Sequence, residues 1–262
     1  MKFCRFSLVS ARQSSNANSK FGLIEGDSIR EISGTPWRDW KKGIRSFLLK
    51  DCRLAAPVSP SKIVCVGRNY AAHAAELGND MPKEPLIFLK PPSSLIGPGE
   101  AIVLPRYSQR VEHEGELGLV VGKPCAHLKD DEDPLAYLLG YTCVNDVTAR
   151  DLQKSDVQFT RAKGFDTFCP VGPHIESQLD PQNVLVETHV NGTQKQSGNT
   201  SLMAFPVSFL VRWISQMMTL VPGDLIATGT PPGVGPLVAG DTVEVSVAGI
   251  GVLRNPVHAS EA

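Results

Sequence analysis

The chain predicts an α+β fold, mostly β, and three observations carry that expectation. Short apolar segments recur along the sequence and read as strands, few stretches show helical spacing, and 20 prolines with 23 glycines break the pattern too often for a doubly wound parallel sheet. With 262 residues, 42% hydrophobic and 20% charged, there is enough apolar material for one large domain. The expected division is a small N-terminal α/β unit over 1–55 and a larger unit over 56–262, which opens on the Pro-rich link Ala55-Ala56-Pro57-Val58-Ser59-Pro60.

Taken in order, 3–8 alternates as a strand and 21–32 forms a hairpin turning at Glu25-Gly26-Asp27. A helix is expected next. Thr35 is a natural N-cap, Pro36 suits a first turn, and Trp37, Trp40, Ile44, Phe47 and Leu48 recur at helical spacing. The tryptophans on that stripe serve as packing anchors rather than ligand platforms. Past the link, 62–67 is a buried strand ending in a glycine turn, and 69–77 a short helix stopped by Gly78. Further strands are expected at 86–90, 101–104, 117–121, 141–144, 184–190, 225–228 and 242–247, and helices at 134–139, 149–153 and 207–218.

Charge and composition narrow the function. With 26 basic and 27 acidic residues the net charge is -1, so neither nucleic acid nor an anionic membrane is expected as a partner. No apolar run approaches the roughly 20 residues that span a bilayer. The start, Met1-Lys2-Phe3-Cys4-Arg5, lacks the apolar core of a signal peptide, and a cytoplasmic location is expected. The six cysteines are scattered without a Cys-x-x-Cys pair and are expected to be reduced, with Cys65, Cys143 and Cys169 as small buried hydrophobes.

The chemistry concentrates in carboxylates. Glu114-Gly115-Glu116 is followed by Asp146 in Asn145-Asp146-Val147-Thr148-Ala149-Arg150-Asp151-Leu152-Gln153. Residues two apart on a strand share a face, so Glu114 and Glu116 project together while Leu117, Leu119 and Val121 fill the other side. Like charges beside an apolar run are costly unless a cation neutralises them, and an all-oxygen set suits Mg²⁺, Mn²⁺ or Ca²⁺ better than zinc. The alternative is a solvated strand edge in which Glu112, Glu114 and Glu116 all face water. Spacing does not choose between the pairs 112/114 and 114/116. Asp146 stands at a strand end just before Thr148, a natural helix cap, so it is placed either to reach a ligand or to cap that helix. Arg150 and Asp151 form either a surface pair or, for Arg150, a support for a ligating carboxylate. His73 and Glu76, at i and i+3 on the short helix, can share a face, although solvated helices often carry this spacing too.

These pieces resemble the fumarylacetoacetate hydrolase family. The resemblance rests on Gly67-Arg68-Asn69-Tyr70-Ala71-Ala72-His73-Ala74-Ala75-Glu76, Phe88-Leu89-Lys90-Pro91, His113-Glu114-Gly115-Glu116-Leu117 and the segment from Gly140-Tyr141 through Gln153. It continues in Lys163-Gly164-Phe165-Asp166, Pro170-Val171-Gly172-Pro173, Val190-Asn191-Gly192 and the loop from Ala227 to Gly235. So many segments in family order cover nearly all of the chain after Ser61.

The resemblance implies a mixed β-roll, a homodimer, and a divalent cation, Mg²⁺ or Mn²⁺ with Ca²⁺ as a possible substitute, held by Glu114, Glu116 and Asp146. It also implies that His73 and Glu76 activate water from a mobile lid helix. Lys163 is implied as a further catalytic group, and Arg68, Tyr70, Lys90, Arg150, Gln153 and Thr230 as substrate-binding. Lysines offer charge to a carboxylate or enolate, Gln153 a hydrogen bond to a carbonyl, and Thr230 a hydroxyl to a carboxylate. The loop 229–235 lacks the Lys-Ser/Thr of a phosphate-binding loop, so its glycines are expected to allow close approach of substrate. The expected activity is metal-dependent hydrolysis of a carbon–carbon bond in an acylpyruvate or other β-diketo acid. Decarboxylation of a 2-oxo acid such as oxaloacetate and isomerisation of an unsaturated dioic acid are alternatives within enzymes, and a silent binding or scaffold protein is the alternative outside them.

Overall fold

A computed structural model describes residues 1–9 and 19–260. The structure is mostly β, as expected. A twelve-stranded sheet runs from one edge through Arg38–Leu48, Ser28–Thr35, Lys20–Glu25, Lys2–Leu8 and Cys169–Glu176 to Leu138–Asn145, Gly115–Val121, Leu225–Ala227, Ile63–Gly67 and Leu86–Lys90. Two short strands, Cys52–Ala55 and Leu95–Ile96, pair off this path. A five-stranded sheet orders Thr193–Asn199, Leu185–Val190, Thr242–Val247, Gly251–Ala259 and Ile102–Leu104, and a three-stranded one orders Thr148–Ala149, Val111–His113 and Gly235–Pro236. The helices are short: α1 Ala71–Glu76, α2 Arg150–Ser155, α3 Thr160–Lys163 and α4 Val207–Ser215. None of the described helices is long and apolar enough to cross a membrane.

The large sheet buries both faces. Leu117, Leu119 and Val121 meet Val186, Val245 and Val247 of the five-stranded sheet together with Val207, Leu210, Val211 and Ile214 of α4. Val120, from the opposite face of the same strand, joins Phe3, Ile63, Cys65, Val144 and Ile175. This is the alternation expected of a strand, with both sides covered. The N-terminal strands join the same sheet, through Lys2↔Glu176 and Phe3↔Ile175.

The expected helix after Thr35 is instead the edge strand Arg38–Leu48. Thr35 pairs with Arg38 across a tight turn, and the register slips twice along the pairing with Ser28–Thr35. Each slip changes which face the next residue takes, so inward positions fall at odd spacings that mimic a helical stripe. Trp37, Trp40 and Phe47 pack edge-on or tilted against Phe21, Phe3 and Phe6, at 5.4, 5.4 and 5.6 Å between ring centroids. Ile44, on the same supposed stripe, is 95% exposed. A second expected helix, 134–139, is a 3-10 turn over Pro134–Tyr137, because Leu138 already pairs with Val121 in the large sheet. The strands Cys169–Glu176, Thr193–Asn199 and Gly251–Ala259 were not anticipated, since prolines or polar residues obscure their apolar alternation.

One close approach fixes where the acidic segment lies. An added Cβ on Gly115 would fall 2.0 Å from Thr188 Oγ1, so only glycine lets this strand and Leu185–Val190 come together. Thr188 Oγ1 has no hydrogen-bond partner among the described residues. Gly115→Ala is expected to lower stability by about 1–3 kcal/mol through overpacking. Adding Thr188→Ala should restore most of it; denaturant midpoints of the two variants check this.

Candidate active site

Glu114 lies where the chain leaves the strand Val111–His113 of the small sheet and enters Gly115–Val121 of the large one. The acids on either side are buried as well: Glu112, Glu114, Glu116 and Asp146 are 1, 5, 1 and 1% exposed, which removes the solvated-edge reading. Oxygens of Glu114, Glu116 and Asp146 come within 4.8 Å of one another. The turn that brings Asp146 in is held by its own N–H, which donates to Glu114 O at 2.8 Å, and by Asn145 Oδ1, which accepts from Glu114 N at 3.0 Å. Asp146 does not cap α2. The helix begins at Arg150, and the Thr148 hydroxyl donates back to Asp146 O at 2.9 Å.

Buried cations balance these acids unevenly. Lys163 Nζ bridges Glu114 Oε2 and Asp146 Oδ2 at 2.8 and 2.7 Å, and sits 4.9 Å from the centroid of the Phe88 ring. Lys90 Nζ reaches Asp146 Oδ1 at 2.6 Å and Val147 O at 3.0 Å. Arg150 donates to Glu114 Oε1, Gln153 Oε1 and Glu112 Oε2. Burial pushes the Glu114 carboxyl up, but the Lys163 ammonium and Arg150 guanidinium outweigh it and hold Glu114 well below the usual carboxylate range. Burial disfavours the Lys163 ammonium too, yet Asp146 and Glu114 raise its pKa above that of a free lysine. Glu116 receives only the Gly229 N–H, at 2.8 Å, among the described residues. Burial, then repulsion by Asp146 and Glu114, push its carboxyl well above the ordinary value.

This donor set fits a hard divalent cation. It offers three converging carboxylates, one of them without a cationic partner and paying for burial with a raised pKa. Burial pushes the nearby Cys65 thiol well above its usual value and Cys169 up to about 12.

Above the acids opens a cavity of about 200 Å³. It is lined by Arg68, His73, Arg150, Gln153, Lys163 and Thr230 in addition to the three acids, with Val66, Leu77, Leu86, Phe88 and Phe159 as its apolar wall. His73 is 5% exposed on α1, with Nδ1 3.4 Å from Glu76 Oε2. The Glu76 carboxylate also accepts the Gly233 N–H at 3.0 and 3.1 Å, tying α1 to the loop 229–235.

Two of the expected substrate residues do not line this cavity. Tyr70 is packed into the core with Val64, Leu117 and Leu119, and its hydroxyl has no partner among the described residues. Lys90 lies behind Asp146 with both its hydrogen bonds directed at protein oxygens. Thr230 is present, but its hydroxyl donates to Gly115 O at 2.8 Å and accepts from Gln196 Nε2 at 2.7 Å, so the proton is already committed. Two glycines of its loop are required by close packing within the protein. An added Cβ on Gly229 would meet Asn69 Cβ at 2.7 Å, and one on Gly233 would meet Lys195 O at 2.0 Å. Asp151 is no partner of Arg150: it accepts from Ser108 Oγ and Gln109 N at 2.6 and 2.7 Å.

Two buried amides that sequence reasoning passed over hold the site together. Gln196 Oε1 is 3.0 Å from Gly115 N and 3.1 Å from His113 Nδ1, while Nε2 donates to Thr230 Oγ1 and to Pro231 O at 2.7 and 2.8 Å. Asn69 Nδ2 donates to Thr228 O and Phe205 O at 2.8 and 3.1 Å, and its Oδ1 accepts from Phe205 N at 2.8 Å. Asn69 had a signal in its motif. Gln196 had none, because it sits in a polar strand and its partners come from distant segments.

The raised pKa of Glu116 carries a stability consequence. A carboxyl whose folded pKa lies above the unfolded one favours folding fully below the unfolded value, and that contribution is lost as pH rises through the folded pKa. Metal-free Glu116→Gln is therefore expected to melt above wild type at pH 8, with the gap closing as pH falls toward the carboxylate range. The rise in melting temperature that Mn²⁺ gives wild type should disappear in the variant, as a thermal-shift titration can show.

Residues 62–258 match the family described as fumarylacetoacetate (FAA) hydrolase C-terminal, and residues 1–57 match one described as Rv2993c-like, N-terminal. The chain is 45% identical to the human mitochondrial oxaloacetate tautomerase over 77% of this chain and 68% of that one. It is 39% identical to a Sphingomonas 2,4-didehydro-3-deoxy-L-rhamnonate hydrolase over 98% and 96%. The crystal structure of 2-hydroxyhepta-2,4-diene-1,7-dioate isomerase from Mycobacterium marinum superposes with a TM-score of 0.89, at 44% identity and full coverage of both chains. The protein is thus an enzyme of the fumarylacetoacetate hydrolase family.

Proposed function

We propose that the protein is a divalent-metal-dependent hydrolase that cleaves a carbon–carbon bond in an acylpyruvate or related β-diketo acid. The observation that carries this reading is His73, backed by Glu76, facing the cavity that also holds the acid triad. Hydrolysis needs a base that activates water, a role this pair can fill, while tautomerisation would use a base to move a proton between carbon and oxygen. The Sphingomonas relative, alignable over nearly the whole chain, is named a hydrolase of a didehydro-deoxy sugar acid.

Glu114, Glu116 and Asp146 would hold Mg²⁺ or Mn²⁺, whose chemistry at this place is Lewis-acid polarisation of the carboxylate and 2-oxo oxygens of a chelating substrate. His73, with Nδ1 turned to Glu76, keeps Nε2 free to take a proton from water. The resulting hydroxide adds to the distal carbonyl carbon. The bond to the pyruvoyl methylene then breaks, its electron pair leaves as pyruvate enolate, and protonation of that carbon gives pyruvate beside a carboxylic acid. The Lys163 ammonium faces the same cavity and stabilises the enolate charge. Gln153, oriented by Arg150, hydrogen-bonds a substrate carbonyl.

Arg68 would read the far end of the substrate. It stands at φ 55°, a backbone conformation costly for arginine, directly before the Asn69 clamp, and no ion pair or hydrogen bond engages it among the described residues. A second reading, oxaloacetate-type tautomerisation or decarboxylation, is favoured by the human relative's name and would use the same acids without a water nucleophile.

The assay follows loss of β-diketo acid absorbance with added Mg²⁺ and identifies the products. His73→Ala should lower kcat by about 10²–10⁴-fold. Metal-dependent turnover that survives Glu116→Ala overturns the site assignment, and catalysed oxaloacetate enol–keto exchange with no diketo acid cleaved favours the second reading. Arg68→Ala should raise KM about 10–100-fold for acylpyruvates ending in a carboxylate, the loss expected for a charge-assisted hydrogen bond, and far less for those ending in a methyl group.

A further inference from the structure

We infer that Glu112 is a positioning residue that sets the cation affinity of the neighbouring acids by holding Arg150. This inference rests on the reading that Glu114, Glu116 and Asp146 bind a divalent metal. Glu112 is a carboxylate two residues before the acid pair, 1% exposed, and no step of the proposed reaction uses it. It is not itself a ligand: its two oxygens face arginines, Oε1 accepting from Arg110 Nε at 2.6 Å and Oε2 from Arg150 Nε at 2.7 Å.

The backbone fixes this arrangement. Glu112 pairs with Thr148 on one side and Pro236 on the other, at the centre of the three-stranded sheet. Arg150 N donates to Arg110 O at 2.7 Å, so the first residue of α2 is pinned to the same strand. The guanidinium is 3% exposed and has three acceptors: Glu112 on Nε, Gln153 on one terminal nitrogen and Glu114 on the other. A planar fork held at Nε has its remaining N–H directions determined. Glu112 therefore aims Arg150 at a candidate metal ligand and a candidate substrate amide together.

Electrostatics gives the sign of the effect. Arg150 competes with a metal ion for Glu114, and Glu112 takes up part of the Arg150 charge where all three side chains are buried. Without that carboxylate the whole arginine charge falls on Glu114, which weakens its attraction for a cation. The freed guanidinium also loses its alignment with Gln153.

The test compares wild type with Glu112→Gln, nearly isosteric but uncharged, and Glu112→Asp, charged but one methylene shorter. Mn²⁺ dissociation constants by calorimetry are read beside kcat, KM and the metal-free melting temperature. Glu112→Gln should weaken Mn²⁺ binding about tenfold, the low end for loss of a ligand's support, and raise KM for the diketo acid more than it lowers kcat. Glu112→Asp should fall between it and wild type. Should Glu112→Gln not fold, the aspartate variant decides. Wild-type Mn²⁺ affinity in a folded Glu112 variant overturns the inference while leaving the metal site standing. Failure of wild type itself to bind Mn²⁺ overturns the metal reading and this one with it.

Discussion

Four carboxylates that share one buried region dominate the physics of this protein. Glu112, Glu114, Glu116 and Asp146 are removed from water beside one another, and three buried cations, Lys90, Arg150 and Lys163, answer them at hydrogen-bond distance. Isolated buried charges of this kind are far too costly to persist, and partners with good geometry are what make them tolerable. The pairing stops one short. Glu116 keeps a single backbone donor among the described residues, and that shortfall leaves the cluster a group of acids that could hold a cation rather than a closed salt-bridge network.

Much of the surrounding architecture keeps this cluster in place. The strand that carries the acids leaves a small sheet and enters the large one between Glu112 and Glu116, so successive carboxylates meet different surroundings although they are two residues apart. Glu112 meets arginines, Glu114 an arginine and a lysine, and Glu116 a glycine N–H. Gln196 reaches in from the five-stranded sheet and Asn69 joins the end of Ile63–Gly67 to the loops after Thr228 and before α4. Each amide satisfies several backbone groups of irregular segments, which cannot satisfy one another through a ladder.

Parts of the fold were legible because local pattern and tertiary outcome agreed. The hairpin at Glu25-Gly26-Asp27, the buried strand ending at Gly67, the short helix before Gly78 and the apolar helix opening at Val207 all follow from spacing and breakers. The stretch after Thr35 was misread for a definite reason. Two register slips against its partner strand moved the aromatic residues to spacings that also suit a helix, and a slip is a property of a pair of strands, invisible in either alone. Tyr70 and Lys90 were misplaced for a related one, since a motif gives a residue's neighbours in sequence but not the direction of its side chain.

The sequence by itself determined the β-rich class, the family, and the candidate acids Glu114, Glu116 and Asp146, because those depend on residue type and order. Only the tertiary structure decided that Glu112 belongs to the arginines, that Lys163 bridges two of the acids, that the Thr230 proton is spent on Gly115, and that Gln196 holds the loop. Each of those facts is a contact between segments tens of residues apart. Burial sets its strength and strand register sets its direction, and neither exists until the sheets have closed on one another.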